Sequence, residues 1–102
     1  MQKDNIILNG IRARFFGVLD ELKNLGIIGG ITSFSDRTGI DRSNIVRRKN
    51  TEYGNIPVEW LVALAENYNV RTDYLLLGSG KMFNRGFDVE KQKIMQKNCK
   101  KK

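Results

Sequence analysis

Apolar residues recur at helical spacing in a series of short stretches, most of them closed by glycine or asparagine, and this pattern limits the chain to helices joined by brief turns. The longest stripe is Ile11, Phe15, Val18, Leu19 and Leu22, at i, i+4, i+7, i+8 and i+11. These five share one side of a 3.6-residue helix, and Arg12, Arg14, Asp20, Glu21 and Lys23 take the other positions. Asn9 is placed to cap this helix and Gly26 to close it, with Ile27 and Ile28 docking the exit. Whether Ile6, Ile7 and Leu8 add a turn or form a short extended arm stays open. A single proline, Pro57, among 102 residues fits the same all-α reading. That length supports one domain with one modest core.

Gly29-Gly30 is read as a flexible joint, followed by a short helix from about Thr32 to Thr38 around Phe34. Gly39 breaks it, Ile40 follows, and Asp41 is placed to cap a helix running from Arg42 to Lys49. Asn50 to Ile56 is polar and loop-like. Pro57 then falls in the first turn of another helix, where its missing N–H is harmless. Glu59 in that turn favours the positive end of the helix dipole. Trp60, Leu61, Leu64, Ala65 and Tyr68 make its buried stripe. Asn69-Val70-Arg71 turns the chain, and Thr72 is placed to cap a short helix with Tyr74, Leu75 and Leu77, ended by Gly78-Ser79-Gly80. Past Met82 and Phe83 the pattern thins. Asp88 can cap a helix whose stripe is Val89, Ile94 and Met95, and Lys100-Lys101-Lys102 is expected to be disordered. The expected organisation is a body over residues 1–87 and a basic extension over 88–102, partly helical or disordered.

The formal net charge of +7 is unevenly placed. Residues 88–102 hold six lysines and two acids, a balance of +4, whereas residues 1–87 hold twelve basic and nine acidic groups, a balance of +3. Such a field speeds association with polyanions but identifies no partner. One cysteine, Cys99, and no histidine give neither an internal disulfide nor a zinc framework, so no metal or cofactor is expected. No run approaches the ~18–20 apolar residues that span a bilayer, and no signal peptide is recognisable. The expected setting is cytoplasmic, with no membrane partner and no small-molecule ligand. Without histidine, a nucleophile paired with a base, or a glycine-rich loop between strand and helix, catalysis is not expected.

The segment Ile31 to Arg48 narrows the function. Two helices packed across a tight turn need a residue that accepts a left-handed backbone, and Gly39 supplies it. They also need apolar inner faces, supplied by Phe34, Ile40 and Ile45. At ~100° per residue, an inward Ile45 sets Ser43 and Arg47 nearly opposite, with Asn44 and Val46 on the flanks and Arg42 projecting at the helix start. This outer face carries Arg42, Ser43, Asn44 and Arg47 and no acid. Arginine can pair with guanine O6 and N7, asparagine with adenine N6 and N7, and valine methyls can touch thymine. Serine, lysine and the helix N-terminus suit phosphate. By default the same face is simply a solvated surface; the joint arrangement favours double-stranded DNA.

Phe34 to Lys49, then Ile56-Pro57-Val58-Glu59-Trp60-Leu61, then Thr72-Asp73-Tyr74-Leu75-Leu76-Leu77-Gly78 resemble the lambda-repressor-like (Cro/repressor, XRE-type) helix-turn-helix domains. The likeness runs from about Ile11 to Phe83 and is nearest to short phage-repressor-type regulators. It implies a compact five-helix domain whose third helix enters the major groove, acting as a homodimer on repeated half-sites. Carried over by position, Arg42, Ser43, Asn44 and Arg47 are the base-reading residues, and Thr32, Ser33 and Lys49 the phosphate contacts. The implied role is a small transcriptional regulator, most simply a repressor. Two positions depart from the family pattern. Ser35 stands where a small alanine is usual, adding a hydroxyl. Arg48 stands where an apolar residue closes the third helix, and its stem can pack while its guanidinium reaches Glu52 or solvent. The rival reading is a protein-interaction module of the same fold, an antitoxin or a repressor antagonist. The apolar residues around Met82, Phe83 and Phe87 are the expected dimer surface.

Overall fold

A computed structural model describes residues 2–51 and 55–98, with residues 2–6 and 8 described in backbone only. The apolar stripes fold as helices α1 (Gln2–Asn24), α2 (Ile31–Thr38), α3 (Arg42–Asn50), α4 (Val58–Tyr68), α5 (Thr72–Leu77) and α6 (Val89–Lys97). Extended pairing among the described residues is limited to one antiparallel bridge, Val70 with Phe83. The chain is therefore all-α, and its sixth helix is the one expected behind an Asp88 cap in the C-terminal extension. Glu52, Cys99 and the terminal lysines lie outside the described residues, and so do the readings placed on them.

Several boundaries differ from expectation. Helix α1 starts at Gln2, so Asn9 lies inside it and caps nothing. No proline or glycine separates Gln2 from Asn9, and nothing in that stretch stops the helix from extending back. Asp41 stands at the N-cap of α3 and Arg71 at that of α5, neither with a side-chain capping bond. Thr72 is thus the first helical residue and not the cap. Pro57 occupies the N-cap of α4 and not its first turn. Asp88 does cap: its Oδ1 accepts from the backbone N–H of Glu90 at 3.0 Å and of Lys91 at 3.2 Å.

The core forms where α1, α2, α3, α4 and α5 converge. Phe15, Val18, Leu22, Phe34, Ile45, Leu64, Tyr68, Val70 and Leu75 are fully buried. Phe15 is its hub, with ring centroids 5.0 Å from Phe16, 5.9 Å from Phe34 and 5.7 Å from Trp60. The first two contacts are edge-on, which the ring quadrupoles favour. Phe34 in turn stacks on Tyr68 at 5.9 Å. Beyond α5 the chain returns to the body. Arg71 N–H donates to the Met82 carbonyl and Asn84 N–H to the Asn69 carbonyl, both at 2.9 Å. Phe83 and Phe87 stack at 3.8 Å, and both pack with Met82 against the core. The residues of the expected dimer surface are thus half-buried against the chain itself, and they also line a groove on its outside.

Three arginines hold the bundle by helix C-termini, whose last carbonyls lack partners within the helix. Arg12 Nη2 donates to the carbonyls of Arg48 at 2.7 Å, Lys49 at 3.0 Å and Thr51, at the end of α3. Arg14 donates to Leu75 through Nε at 3.0 Å and to Leu76 through Nη2 at 3.1 Å, at the end of α5. Arg37 Nη2 donates to the Asn67 carbonyl at the end of α4, its guanidinium 4.4 Å from the Tyr68 ring centroid. The positions of Arg12 and Arg14 on the polar side of α1 hence face helix ends and not only solvent. Arg14 runs between two glycines. A Cβ at Gly10 would lie 3.2 Å from its Nη1, and one at Gly78, where φ is +70°, would lie 3.0 Å away.

Helix α6 seats on the body in an unexpected sense. Val89 packs against the core as expected, but the buried residue is Gln92, and the other two members of the expected stripe, Ile94 and Met95, are exposed. Arg37 Nη1 donates to Gln92 Oε1 at 3.1 Å and to Gln96 Oε1 at 3.4 Å. Tyr68 hydroxyl donates to Gln96 Oε1 at 2.6 Å, and Gln96 Nε2 donates to the Ser33 carbonyl at 2.9 Å. The physical reason is that α2 and α4 present polar groups here, which glutamine satisfies and isoleucine cannot.

Candidate nucleic-acid interface

Helices α2 and α3 are joined by Gly39, Ile40 and Asp41. Gly39 adopts φ 81° and ψ 2°, and its N–H donates to the Ser35 carbonyl at 2.8 Å. The left-handed backbone expected there is thus present. Side chains stiffen the turn further. Ser35 hydroxyl donates to the Ile40 carbonyl, Thr38 hydroxyl donates to the Phe34 carbonyl at 2.8 Å, and Ile40 N–H donates back to Thr38 Oγ1 at 3.3 Å. The hydroxyl at position 35 has a partner that alanine would lack. Phe34 and Ile45 are fully buried, and Ile40 packs against the core from the turn.

With Ile45 inward, Arg42, Ser43, Asn44 and Arg47 are all exposed, together with Lys49 and Asn50. Val46 is half-buried on the flank. The exposed side chains of α3 include two arginines and a lysine and no acid, although Asp41 lies exposed just before the helix. The Asp41 carbonyl accepts from Asn44 N–H at 3.1 Å and Ile45 N–H at 3.2 Å, which starts the helix without help from its carboxylate.

The residues expected to meet phosphate fall in two settings. Thr32 is exposed, and its Oγ1 accepts from Arg42 Nε at 2.9 Å. That bond uses Nε and leaves both terminal guanidinium nitrogens of the exposed Arg42 out of it. Ser33 is half-buried, and its Oγ accepts from Gly29 N–H at 3.1 Å, closing the joint before α2. A groove of about 370 Å³ runs between α1, α2 and α3, with Lys23, Thr32, Arg42 and Lys49 among its lining residues. Sequence reading brought Arg42, Thr32 and Lys49 to this place. It missed Lys23, which stands one helix away and is recognisable only once α1 is packed beside α2. Asp20 lines the same groove and moderates its positive charge.

At Arg48, where the resemblance implies an apolar residue, the structure holds a half-buried cation. Its guanidinium lies 5.8 Å from the Trp60 ring centroid and donates to the Asn55 carbonyl. The stem and the flat cation cover the indole as an apolar side chain would, and the charge gains a π face. The arrangement as a whole can offer a rigid, cationic, hydrogen-bonding helix face to an anionic partner. No family model, curated protein or solved structure matches the chain.

Proposed function

We propose that the chain is a lambda-repressor-like helix-turn-helix protein that reads double-stranded DNA through α3 and acts as a small transcriptional regulator, most simply a repressor. The observation that carries this reading is the α3 face. Arg42, Ser43, Asn44 and Arg47 are exposed together on a helix held by the buried Phe34 and Ile45 and by a hydrogen-bonded left-handed turn. Arginine and asparagine are the side chains that pair bidentately with guanine and adenine edges in the major groove. Thr32, Lys49 and Lys23 border the adjoining groove, where a phosphate strand flanking the inserted helix would run. Ser33 contributes through the shape of the joint, because its hydroxyl is engaged by Gly29. A homodimer on repeated half-sites is the form such a helix takes when it binds DNA.

One observation favours the rival interaction module. Arg12, Arg14 and Arg37 turn toward main-chain carbonyls, so less of the body's basic surplus faces outward than its sequence suggests. Salt separates the two readings. A DNA binder loses affinity at a log–log slope of ~0.9 per phosphate neutralised, and a protein-binding module shows no such dependence on DNA. Selection from random duplex DNA with the purified protein is expected to enrich a half-site, repeated at a fixed spacing. On that site, Arg42→Ala and Arg47→Ala are each expected to cost ~1–3 kcal/mol and to relax base choice. Unchanged affinity of both variants, with operator and random DNA bound alike, would overturn the proposal.

A further inference from the structure

Among the described residues, two apolar surfaces of opposite charge lack a cover. The first is the outer side of α6. Having turned Gln92 and Gln96 inward, this helix presents Ile94 (59% exposed) and Met95 (46% exposed) on one stripe with Lys91, and Lys97 stands beside them. The second lies where α4 meets α5. Val58 is 67% exposed and Leu77 75%, and a groove of about 110 Å³ without polar surface opens between Val62 and Leu76. That volume is somewhat below the ~150 Å³ apolar cavity that admits benzene, so it suits a single aliphatic side chain. The exposed charges of α4 and α5 are Glu59, Glu66 and Asp73, with no cation on either helix. Asp73 is paired with Arg71 at 3.2 Å, which leaves Glu59 and Glu66 to define the sign of the surface.

We propose that the protein self-associates by placing the outer stripe of α6 from one copy on the α4–α5 groove of a second copy. Ile94 enters the apolar groove, Met95 packs over the exposed Val58 and Leu77 at its rim, and Lys91 and Lys97 face Glu59 and Glu66. The pairing is reciprocal, so one two-fold axis covers both surfaces of both copies. The alternatives within a homodimer are poorer. Two α4–α5 faces set against each other bring acids against acids and leave the α6 stripe bare. Two α6 stripes set against each other oppose lysines. Like charges placed across an interface select against that arrangement. The inference names the surface behind the homodimer of the proposed function and rests on that reading for its purpose, but its test contains no DNA.

The test is sedimentation velocity on the full chain over a concentration series. The wild type is expected to show a concentration-dependent dimer that weakens with salt. The double variant Lys91→Glu/Lys97→Glu and the double variant Glu59→Lys/Glu66→Lys are each expected to dimerise roughly tenfold more weakly or worse, since each sets like charges together at both contacts. Mixed one to one, they restore opposite charges at both contacts, and the mixture is expected to regain the dimer. All four positions are exposed, and unchanged circular dichroism of each variant checks its fold. A wild type that stays monomeric throughout, variants that dimerise like wild type, or a mixture that gains nothing over its components would each overturn the proposal. If the dimer behaves as expected while operator binding is absent, the DNA reading fails and this one stands.

Discussion

The arginines of this chain divide by what lies opposite them. Arg12, Arg14 and Arg37 each deliver a guanidinium to carbonyls at a helix end, whereas Arg42 and Arg47 are exposed on α3. Removing a charged donor from a partly buried carbonyl leaves that acceptor unmet and costs ~1–3 kcal/mol. Arg12→Ala, Arg14→Ala and Arg37→Ala are therefore expected to lower stability by that amount in urea unfolding. Arg47→Ala is expected to stay within about 0.5 kcal/mol of wild type, as exposed substitutions do. On the proposed DNA reading, operator binding is expected to reverse the order. Arg47→Ala should weaken it directly, while the folded fraction of Arg14→Ala should keep its base preference. Arg14 also predicts a coupling. Gly78→Ala adds a methyl at the guanidinium as well as strain at positive φ, so part of its cost disappears once Arg14 is already alanine. A double-mutant cycle that comes out additive would show that Arg14 moves aside freely. The outward setting of Arg42 and Arg47 was legible in the sequence, but the inward role of Arg12, Arg14 and Arg37 was not. An arginine at a polar helix position reads as solvated, and only packing reveals the end of another helix within its reach.

At the scale of elements, α2, its turn and α3 were the most legible part of the chain. Phe34, Gly39, Ile40 and Ile45 meet three independent demands at once, namely an apolar inner face on each helix and a left-handed residue between them. Gly39→Ala measures the last of these alone. No atom lies within 4 Å of a Cβ built there, so the cost is backbone strain. That strain is worth ~1–2 kcal/mol. Thermal unfolding should show this loss, and the refolded protein should choose the same half-site as wild type, because no side chain of α3 changes. A shift in half-site preference would mean that the turn sets the angle of α3 and not only its stability. Helix ends were less legible than helix faces. Asn9, Asp41 and Thr72 are good capping residue types, yet none makes a cap bond here. A capping side chain works only where the backbone departs from helical geometry, and in α1 no breaker forces that departure at Asn9.

For the whole molecule the largest difference between sequence and structure is the tail. Read as composition, residues 88–102 are a positive extension, and removing them would weaken binding to every DNA sequence alike without touching the fold. The structure makes α6 part of the bundle, because Gln92 and Gln96 take up the guanidinium of Arg37, the hydroxyl of Tyr68 and the carbonyl of Ser33. The thin stripe of Val89, Ile94 and Met95 could not reveal this, since apolar periodicity reports seating only when the surface beneath is apolar. Truncation after Phe87 is accordingly expected to lower stability by ~1–3 kcal/mol, the scale of a small set of hydrogen bonds partly replaced by water. Gln96→Ala alone removes acceptor and donor together and should account for about 1 kcal/mol of it. Lys91→Gln/Lys97→Gln removes two tail charges and none of these bonds, so at a protein concentration below the dimer transition it should leave the urea midpoint unchanged while lowering affinity for non-specific DNA. The two variants thus separate the seat of α6 from its charge. If truncation proves as stable as the full chain, the glutamine contacts contribute nothing net and the tail acts by charge alone.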